Sequence, residues 1–195
     1  MSRRFLEIGP ELKTVSKGRR PPRIGPEWDL ADVGKRPGVD IVATWGEWSG
    51  RGERVKPLPV KNGTYEHVYA SHVLEHIWWW LTVPALKDIH RILKRGGKCE
   101  MWVPDGDFIL RGWTERRMMD AWAKHNRERN PMKWVNGRLF TYGPGVDNWH
   151  RAIFDAQYLK DCFEEAGFVD VHSPSAPTGP DNHQKINMGC VGFKP

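Results

Sequence analysis

The chain has 195 residues, of which 39% are hydrophobic and 28% are charged, so it can bury a core as one domain with at most a modest cap. No apolar run approaches the ~20 residues that a membrane helix needs, which excludes a spanning segment of that kind. The formal net charge of +6 is compatible with an anionic partner or with a solvated basic surface.

The beginning of the chain and its cysteines indicate a compartment. Residues 1–10, MSRRFLEIGP, contain no apolar run long enough for a signal peptide. The three cysteines, Cys99, Cys162 and Cys190, are widely spaced and form no C-x-x-C pair, so they predict no disulfide framework. We therefore expect a reducing, cytoplasmic setting.

In the first half of the chain, predicted strands alternate with loops. Residues 4–9, RFLEIG, alternate and end in Gly, as a short strand that enters a tight turn does. Residues 10–26 are broken by Pro and Gly and are expected to form a loop. Further strands are predicted at 27–34, 39–45 and 64–71. Residues 72–94 carry apolar side chains at helical spacing, with either a kink or a break into two helices at Pro84, and a stop at Gly96–Gly97.

The second half begins with a strand predicted at 98–105. Residues 106–149 are rich in Arg, Trp and Met and are interpreted as a helical insert followed by a Gly/Pro loop. A helix is predicted at 155–168, with Asp155 as its N-cap. Strands at 169–173 and 186–193 complete the pattern, antiparallel at one edge. The alternation of strands and helices predicts a mostly parallel sheet.

The order of several short motifs resembles a known family. The first strand ends in LEIG, the fourth strand enters the next helix as YASHVLEH, and the fifth lies in RILKRGGKCEMWVPD. The later stretches are WHRAIFDAQYLKDCFEEAGF and INMGCVGFKP. In this order the sequence resembles a class I S-adenosylmethionine-dependent methyltransferase, most closely the small methyltransferase-11-like proteins with an H-x-L-E-H motif. The resemblance covers the chain except 106–140. It implies a Rossmann-like α/β fold with about seven strands, a single domain over 1–195, and a lid formed by 106–149.

The resemblance also implies where S-adenosylmethionine binds. Ligands of open α/β sheets lie beyond the carboxyl ends of the strands. There Gly9 would let the backbone approach the methionine part, Asp32 would accept hydrogen bonds from the ribose hydroxyls, and Trp45 would cover the adenine. Asp32 as a turn residue and Trp45 as a core residue stay open as alternatives. The implied cofactor-binding residues are Glu7, Ile8, Gly9, Pro10, Glu11, Asp32, Val33, Thr44, Trp45, Gly46, Ala70, Ser71 and His72.

The first loop departs from the family pattern, which usually is E-x-G-x-G. Here the loop is EIGPE, and Glu11 occupies the second Gly position. Glutamate requires a negative φ and projects a side chain where glycine leaves space. Either the loop turns differently, or Glu11 faces the ammonium group of the cofactor. The acid at the end of the third strand in many relatives is replaced by Thr44 or displaced to Glu47.

The segment SHVLEH also fits the inverted zinc-peptidase motif H-x-x-E-H. In that motif both histidines lie inside one helix and a third ligand comes from elsewhere. Here His72 directly follows an alternating strand and is expected in the first turn of a helix, where Glu75 would cap free backbone N–H groups. We therefore expect no metal site. His76 is interpreted as a packed, hydrogen-bonded histidine, and His72 as a neighbour of the sulfonium end of the cofactor.

The expected reaction is methyl transfer to an oxygen or nitrogen atom of a small acceptor. The protein must align the acceptor and, where needed, remove a proton. His72 and His150 are the candidate bases, because the ordinary histidine pKa lies near neutrality. Asp105 and Tyr142 would position the acceptor. An anionic acceptor would be held by Arg111, Arg116, Arg117 and Arg138, although each of these also fits a solvated helix face.

Three functions stay open from the sequence. The first is a methyltransferase for a metabolite, sugar or nucleotide-sugar. The second is a nucleic-acid methyltransferase, which the net charge and the Trp/Arg interleaving permit, although the sequence has no N-P-P-Y-type signature and no recognised nucleic-acid module. The third is a cofactor-binding protein without catalysis, suggested by the altered first loop. Some of the eleven tryptophans should line a pocket or an interface, and a dimer is compatible with this.

Overall fold

A computed structural model describes residues 4–10, 25–116, 130–140, 149–178 and 186–195. The predictions for Glu11, Arg117 and Tyr142, and most of the predicted loop at 10–26, lie outside the described residues. The strands are β1 (Phe5–Ile8), β2 (Trp28–Asp32), β3 (Ile41–Val42), β4 (Tyr65–Ser71), β5 (Leu93–Pro104), β6 (Val169–His172) and β7 (Asn187–Phe193). The α-helices of the described residues are α1 (Thr82–Ile92), α2 (Gly106–Thr114), α3 (Pro131–Leu139) and α4 (Ala156–Glu165).

The seven strands form one sheet in the order β3-β2-β1-β4-β5-β7-β6. All neighbours from β3 to β5 are parallel, and β7 is antiparallel to both β5 and β6. The predicted sheet of about seven mostly parallel strands, with an antiparallel edge, is therefore confirmed. The strand order reverses between β1 and β4, and this reversal is where open α/β sheets bind ligands at the carboxyl ends of their strands.

The two faces of the sheet are covered differently. Leu6 and Met101 are fully buried on the face that packs against the apolar sides of α1 and α4, and this layer forms the main core. Leu86 of α1 and Phe163 of α4 belong to the same cluster. The opposite face carries a second, aromatic cluster of Phe5, Trp28, Tyr69 and Trp102. Because both faces of the sheet are covered, the middle of β4 (67–70) and the second half of β5 (99–104) are buried throughout.

The helix predicted over 72–94 is wrong in its first half and at its end. Two short 3-10 turns, Leu74–His76 and Trp79–Leu81, precede α1. Pro84 does not kink the helix but lies in its first turn, where an N–H would have no intrahelical partner in any case. The helix ends at Ile92 because the amide of Thr64 binds the carbonyl oxygen of Ile92 at 2.7 Å and the following residue is extended.

Gly96–Gly97 therefore does not stop a helix. The pair lies within β5, at an irregularity where the register between β4 and β5 shifts. Gly96 has a φ of +70°, and its amide donates to the carbonyl oxygen of Lys194 at 2.7 Å. The third strand is also shorter than the predicted 39–45, since only Ile41–Val42 pairs with β2.

The predictions for the C-terminal part agree with the structure. Asp155 caps α4, and its Oδ1 accepts a hydrogen bond from the amide of Tyr158 at 2.7 Å. Gly167 follows the helix with a φ of +97°, the left-handed conformation that favours glycine at a helix end. None of the helices in the described residues combines the length and apolar composition that crossing a membrane requires.

The segment predicted as an insert contributes α2 and α3. The two helices share a small cluster of their own, formed by the buried side chains of Ile109, Trp134 and Val135. Asp105 and Asn130 cap the two helices with their side-chain oxygens. The end of α3 is tied to the following segment, because the amide of His150 donates to the carbonyl oxygen of Phe140 at 3.0 Å.

Candidate active site

Gly9 closes the carboxyl end of β1 in a left-handed conformation with a φ of +67°. A Cβ atom at this position would lie 2.4 Å from Cγ2 of Val73, in the segment that follows β4. Glycine is therefore required here on two grounds, because side-chain-bearing residues rarely adopt this φ and because the neighbouring loop leaves no space. The loops after β1 and β4 are thus in direct contact.

Asp32 lies at the carboxyl end of β2, as the resemblance implied. Its side chain is half-buried, and Oδ1 accepts a hydrogen bond from the amide of Gly34 at 3.1 Å. The side chain of the adjacent Val33 is 62% exposed, so it does not pack in the core. The carboxylate is therefore held in a turn at the carboxyl end of β2, in line with the turn role that the sequence left open, and its hydrogen bonds to a ribose stay a prediction.

Trp45 is a core residue. Its side chain is buried in the main core, and its indole Nε1 donates to the carbonyl oxygen of Ala85 in α1 at 3.2 Å. This agrees with its alternative as a core residue, and a contact with the adenine stays a prediction. Gly46 has a φ of +74°, and a Cβ atom there would lie 2.3 Å from Cδ1 of Ile77. Close packing therefore requires glycine here, as it does at Gly9. Thr44 is exposed.

The remaining residues implied at the cofactor lie in or beside β1 and β4. Their side chains are mostly buried, so what they offer to a ligand is chiefly backbone and shape. Those with buried positions are Glu7, Ile8, Pro10 and Ala70. Ser71, the last residue of β4, is half-buried.

His72 follows β4 in a conformation that is rare for a residue with a side chain. Its φ is +56°, and its amide donates to the carbonyl oxygen of Trp102 at 2.9 Å. The predicted place in the first turn of a helix is wrong, since the chain makes a left-handed turn here before the Leu74–His76 turn begins. A non-glycine residue in this region costs about 1–2 kcal/mol, and such strain clusters at functional sites.

Glu75 is a buried carboxylate at the centre of three imidazole rings. Its Oε1 accepts a hydrogen bond from Nδ1 of His72 at 3.0 Å. Burial raises the pKa of Glu75, but the His72 hydrogen bond and the charges of His72, His76 and His150 lower it, and the net shift is downward. Glu75 lies in the first turn of Leu74–His76, but the predicted capping role is wrong, because Oε1 accepts from His72 and Oε2 has no hydrogen-bond partner among the described residues.

His150 is held against this carboxylate by backbone hydrogen bonds. The amides of Arg151 and Ala152 both donate to the carbonyl oxygen of Glu75, at 2.7 and 3.1 Å. The rings of His76 and His150 meet edge to face, with centroids 5.0 Å apart. Burial lowers the pKa of His150, which Glu75 partly offsets. The two predicted catalytic residues, His72 and His150, therefore converge on one carboxylate from distant parts of the chain.

A pocket of about 630 Å³ lies beside His150. Its walls are mainly apolar, and they come from the tryptophan run, the end of α3 and the segment before α4. The residues that line it include Trp78, Trp79, Phe140, His150, Arg151, Ile153 and Tyr158. The guanidinium of Arg151 stacks over the ring of Trp78 at 5.1 Å from its centroid. The tryptophan run is thus largely a surface and pocket feature, with Trp79 59% exposed.

The residues predicted to hold the acceptor are distributed unevenly around this pocket. Arg138 is half-buried and lines a small cavity next to it, together with His150. Arg111 and Arg116 are exposed on α2 and its end, and their guanidinium groups lie near Phe108 and Trp113. Asp105 uses Oδ1 to cap α2, where it accepts from the amide of Phe108 at 3.0 Å. Arg111 and Arg116 therefore fit the solvated helix face that the sequence left open.

The comparison with protein families identifies the class of this protein. The model of a family described as a methyltransferase domain matches residues 18–173, which is most of the chain. The chain belongs to this family. It is an enzyme with the Rossmann-like class I methyltransferase fold, and its cofactor is S-adenosylmethionine. The described residues fit that cofactor, because the backbone of Gly9 is exposed at the end of β1 and Asp32 presents a carboxylate at the end of β2.

Solved structures share the fold of this methyltransferase at low sequence identity. A methyltransferase from Thermotoga maritima, described as a possible histamine N-methyltransferase, is 18% identical with a TM-score of 0.51, over 98% of this chain and 82% of that one. The CurJ carbon methyltransferase is 15% identical with a TM-score of 0.55, over 99% and 49%. PigF, solved with S-adenosylhomocysteine, is 16% identical with a TM-score of 0.52, over 99% and 56%. The comparison with curated proteins found no significant match.

Some residues of the site were missed or misjudged from the sequence. The hydrogen bond of His76 to Trp149 and its ring contact with His150 agree with the predicted packed, hydrogen-bonded histidine, but its closeness to both Glu75 and His150 was not predicted. Arg151, Trp78 and the pocket they line were not predicted. A sequence signal for this cluster was available. LEH follows β4 and WHR precedes α4, so both stretches carry a histidine beside an element of the predicted sheet layer.

Proposed function

We propose that this methyltransferase transfers a methyl group to an oxygen or nitrogen atom of a small acceptor that binds in the pocket beside His150. The observation that carries the proposal is the Glu75 carboxylate, which joins His72 after β4 to His150 at the pocket wall. A carbon acceptor without an acidic proton would need no such base. S-adenosylmethionine, when bound, supplies a methyl group that is already activated by positive sulfur.

His72 is the first candidate for the base. Because a carboxylate can only accept, the hydrogen bond to Glu75 places the proton of the neutral imidazole on Nδ1, and Nε2 is then the basic nitrogen. The carboxylate also stabilises the imidazolium that forms when Nε2 takes up a proton. His150 orients the acceptor from the pocket side, so that His72 takes the proton. General-base catalysis of this kind contributes about 10²–10⁴-fold to a rate.

The pocket supports an acceptor with a flat or apolar body. Trp78, Trp79 and Phe140 supply aromatic surface, and an aromatic acceptor stacks well on such walls. An anionic group on the acceptor finds cations at the edge of the pocket, from Arg151, and in the adjoining small cavity, from Arg138. Asp105 and Tyr142 stay candidates for positioning the acceptor, with Asp105 also serving as a helix cap.

The proposal also covers the lid, the subfamily and the cellular compartment. The segment 106–149 acts as a lid within a single domain over 1–195, which is supported by the contribution of Leu139 and Phe140 to the pocket wall. The chain is a methyltransferase-11-like protein, which is supported by the position of SHVLEH at the end of β4. It works in the cytoplasm, which is supported by the three free, buried cysteines.

The test has two stages. Calorimetry with S-adenosylhomocysteine first measures cofactor binding, and a screen of small O- and N-nucleophiles then follows methyl transfer from radiolabelled S-adenosylmethionine. We expect binding, and turnover with acceptors that combine an aromatic or apolar body with a hydroxyl or amine. Binding without turnover on any such acceptor, combined with a salt-dependent shift of RNA or DNA, would favour a nucleic-acid substrate instead.

A further inference from the structure

One oxygen of Glu75 lacks a partner. The residue is 2% exposed, and while Oε1 accepts from His72, Oε2 is buried and has no hydrogen-bond partner in the described part of the chain. Leaving a buried acceptor unsatisfied costs about 1–3 kcal/mol, and more for a charged group. Folded proteins rarely retain such groups without a bound water molecule or ion. A cation next to Oε2 would remove this cost.

Two histidine rings lie close to the carboxylate of Glu75. Glu75, His76 and His150 each place one ligating atom within 4.8 Å of the other two. Bonds of about 2.0–2.2 Å from a zinc ion to nitrogen and oxygen bring ligand atoms to roughly 3–4 Å from one another. Small side-chain rotations are therefore enough to bring all three atoms into bonding distance of one ion.

The rings of His76 and His150 are each held by a hydrogen bond to the backbone. Nδ1 of His76 donates to the carbonyl oxygen of Trp149 at 3.2 Å, and the His150 ring is hydrogen-bonded to the backbone of Arg138. Metal-binding histidines almost always donate one ring N–H to a carbonyl or carboxylate, which leaves the other nitrogen unprotonated for the metal. The cluster therefore has the outer contacts of a metal site as well as its ligands.

We propose that Glu75, His76 and His150 bind a divalent transition-metal ion at the wall of the pocket. Two imidazoles and one carboxylate suit zinc, cobalt or iron, whereas magnesium prefers oxygen ligands. Three protein ligands leave coordination positions for water or for a polar atom of a bound molecule. The expectation of no metal site concerned the zinc-peptidase motif, in which His72 and His76 are both ligands. In the structure His72 binds Glu75 instead, and His150 joins Glu75 and His76.

The test measures metal binding directly. The full-length protein is stripped with a chelator, dialysed, and titrated with Zn²⁺, Co²⁺ or Mg²⁺ by calorimetry in the absence of cofactor and acceptor. We expect one equivalent of Zn²⁺ or Co²⁺ to bind and Mg²⁺ to bind far more weakly. His76→Asn, His150→Asn and Glu75→Gln should each weaken Zn²⁺ binding at least tenfold, since even the loss of an outer partner costs about 10–100-fold.

His172→Asn is the matched control. Its exposed ring also pairs through Nδ1 with a backbone carbonyl, that of Asp170, but lies outside the cluster, so this variant should bind Zn²⁺ like the wild type. Circular dichroism checks folding, and if Glu75→Gln does not fold, the two histidine variants decide. The proposal is overturned if the wild type binds no zinc, or if His76→Asn and His150→Asn bind it as tightly as the wild type. Neither result tests the proposed methyl transfer, because the titration contains no cofactor and no acceptor.

Discussion

Gly9 and Val73 belong to different loops, yet a single methyl group on Gly9 would come within 2.4 Å of Cγ2 of Val73. The contact joins the end of β1 to the segment that carries His72 and Glu75. The positions of the cofactor loop and of the proposed catalytic loop are therefore coupled by packing, which can be measured by paired substitutions.

Gly9→Ala should destabilise the protein by more than the conformational strain alone. A φ of +67° costs an alanine about 1–2 kcal/mol, and the clash with Val73 adds to it. We expect a fall in melting temperature of at least ~3 °C, since 1 kcal/mol corresponds to about 2–4 °C in a protein of this size. Thermal denaturation followed by circular dichroism measures it.

Gly63→Ala is the matched control for that experiment, because Gly63 has a φ of +63° but open space around the added Cβ atom. It should show the strain without the clash. In the background of Val73→Ala, the cost of Gly9→Ala should decrease toward that of Gly63→Ala. Equal costs of Gly9→Ala in both backgrounds would contradict the packing explanation.

Asp32→Ala should weaken binding of S-adenosylhomocysteine at least tenfold, or about 1.4 kcal/mol. The expected loss comes from charge-assisted hydrogen bonds to the ribose hydroxyls. Calorimetry provides the measurement. Asp29→Asn is the control, because Asp29 accepts from the hydroxyl of Tyr65 at 2.7 Å and should affect stability rather than affinity. An unchanged affinity of the Asp32→Ala variant would place the ribose-binding acid elsewhere.

His72→Asn should lower turnover about a hundredfold or more, the usual size of a general-base effect, while S-adenosylhomocysteine still binds. Asparagine is the preferred replacement because it tolerates the left-handed conformation of this residue better than alanine does. His150→Asn is measured in parallel, with cofactor binding, turnover and melting temperature recorded separately. If it lowers the melting temperature and leaves turnover intact, His150 is structural and His72 acts without it.

The buried carboxylate of Glu100 should make the folded protein less stable as the pH becomes acidic. Burial raises the pKa of this carboxyl, but hydrogen bonds from His67, Thr178, Trp102 and Lys98 lower it far below its usual range. Because the pKa of the folded state is the lower one, this stabilisation is complete above the ordinary glutamate pKa of about 4.3. It is lost progressively as the pH falls toward the folded pKa.

Glu100→Gln tests this dependence. The variant should be less stable than the wild type at neutral pH by about 2 kcal/mol, and the difference should shrink as the pH is lowered from about 6 to 3. Denaturant unfolding at several pH values measures both quantities. Glu164→Gln is the control, since Glu164 is exposed and its contact with Lys160 is 3.6 Å long. A difference that stays constant with pH would show that the charge of Glu100 is not the cause.

Local patterns in the sequence were sufficient for the elements whose signals lie within a few residues. The alternation in β4, the cap at Asp155 and the terminator at Gly167 depend on neighbours in the chain, and the structure agrees with all of them. The order of these elements, together with the resemblance, also predicted the seven-stranded sheet and the edge at which the cofactor binds. Such features need no knowledge of distant contacts.

The tertiary structure decided what the side chains near that edge do. Trp45 packs against α1 because Ala85 offers a carbonyl oxygen in the core. Pro84 lies in the first turn of α1, because the preceding residues make 3-10 turns and the helix begins only at Thr82. Above all, the carbonyl oxygen of Glu75 binds the amides of Arg151 and Ala152, which carries His150 to the buried carboxylate. The sequence by itself determined the fold and its ligand-binding edge, whereas long-range backbone hydrogen bonds and close packing determined the cluster. No local pattern encodes them, because their partners meet only when the sheet is assembled.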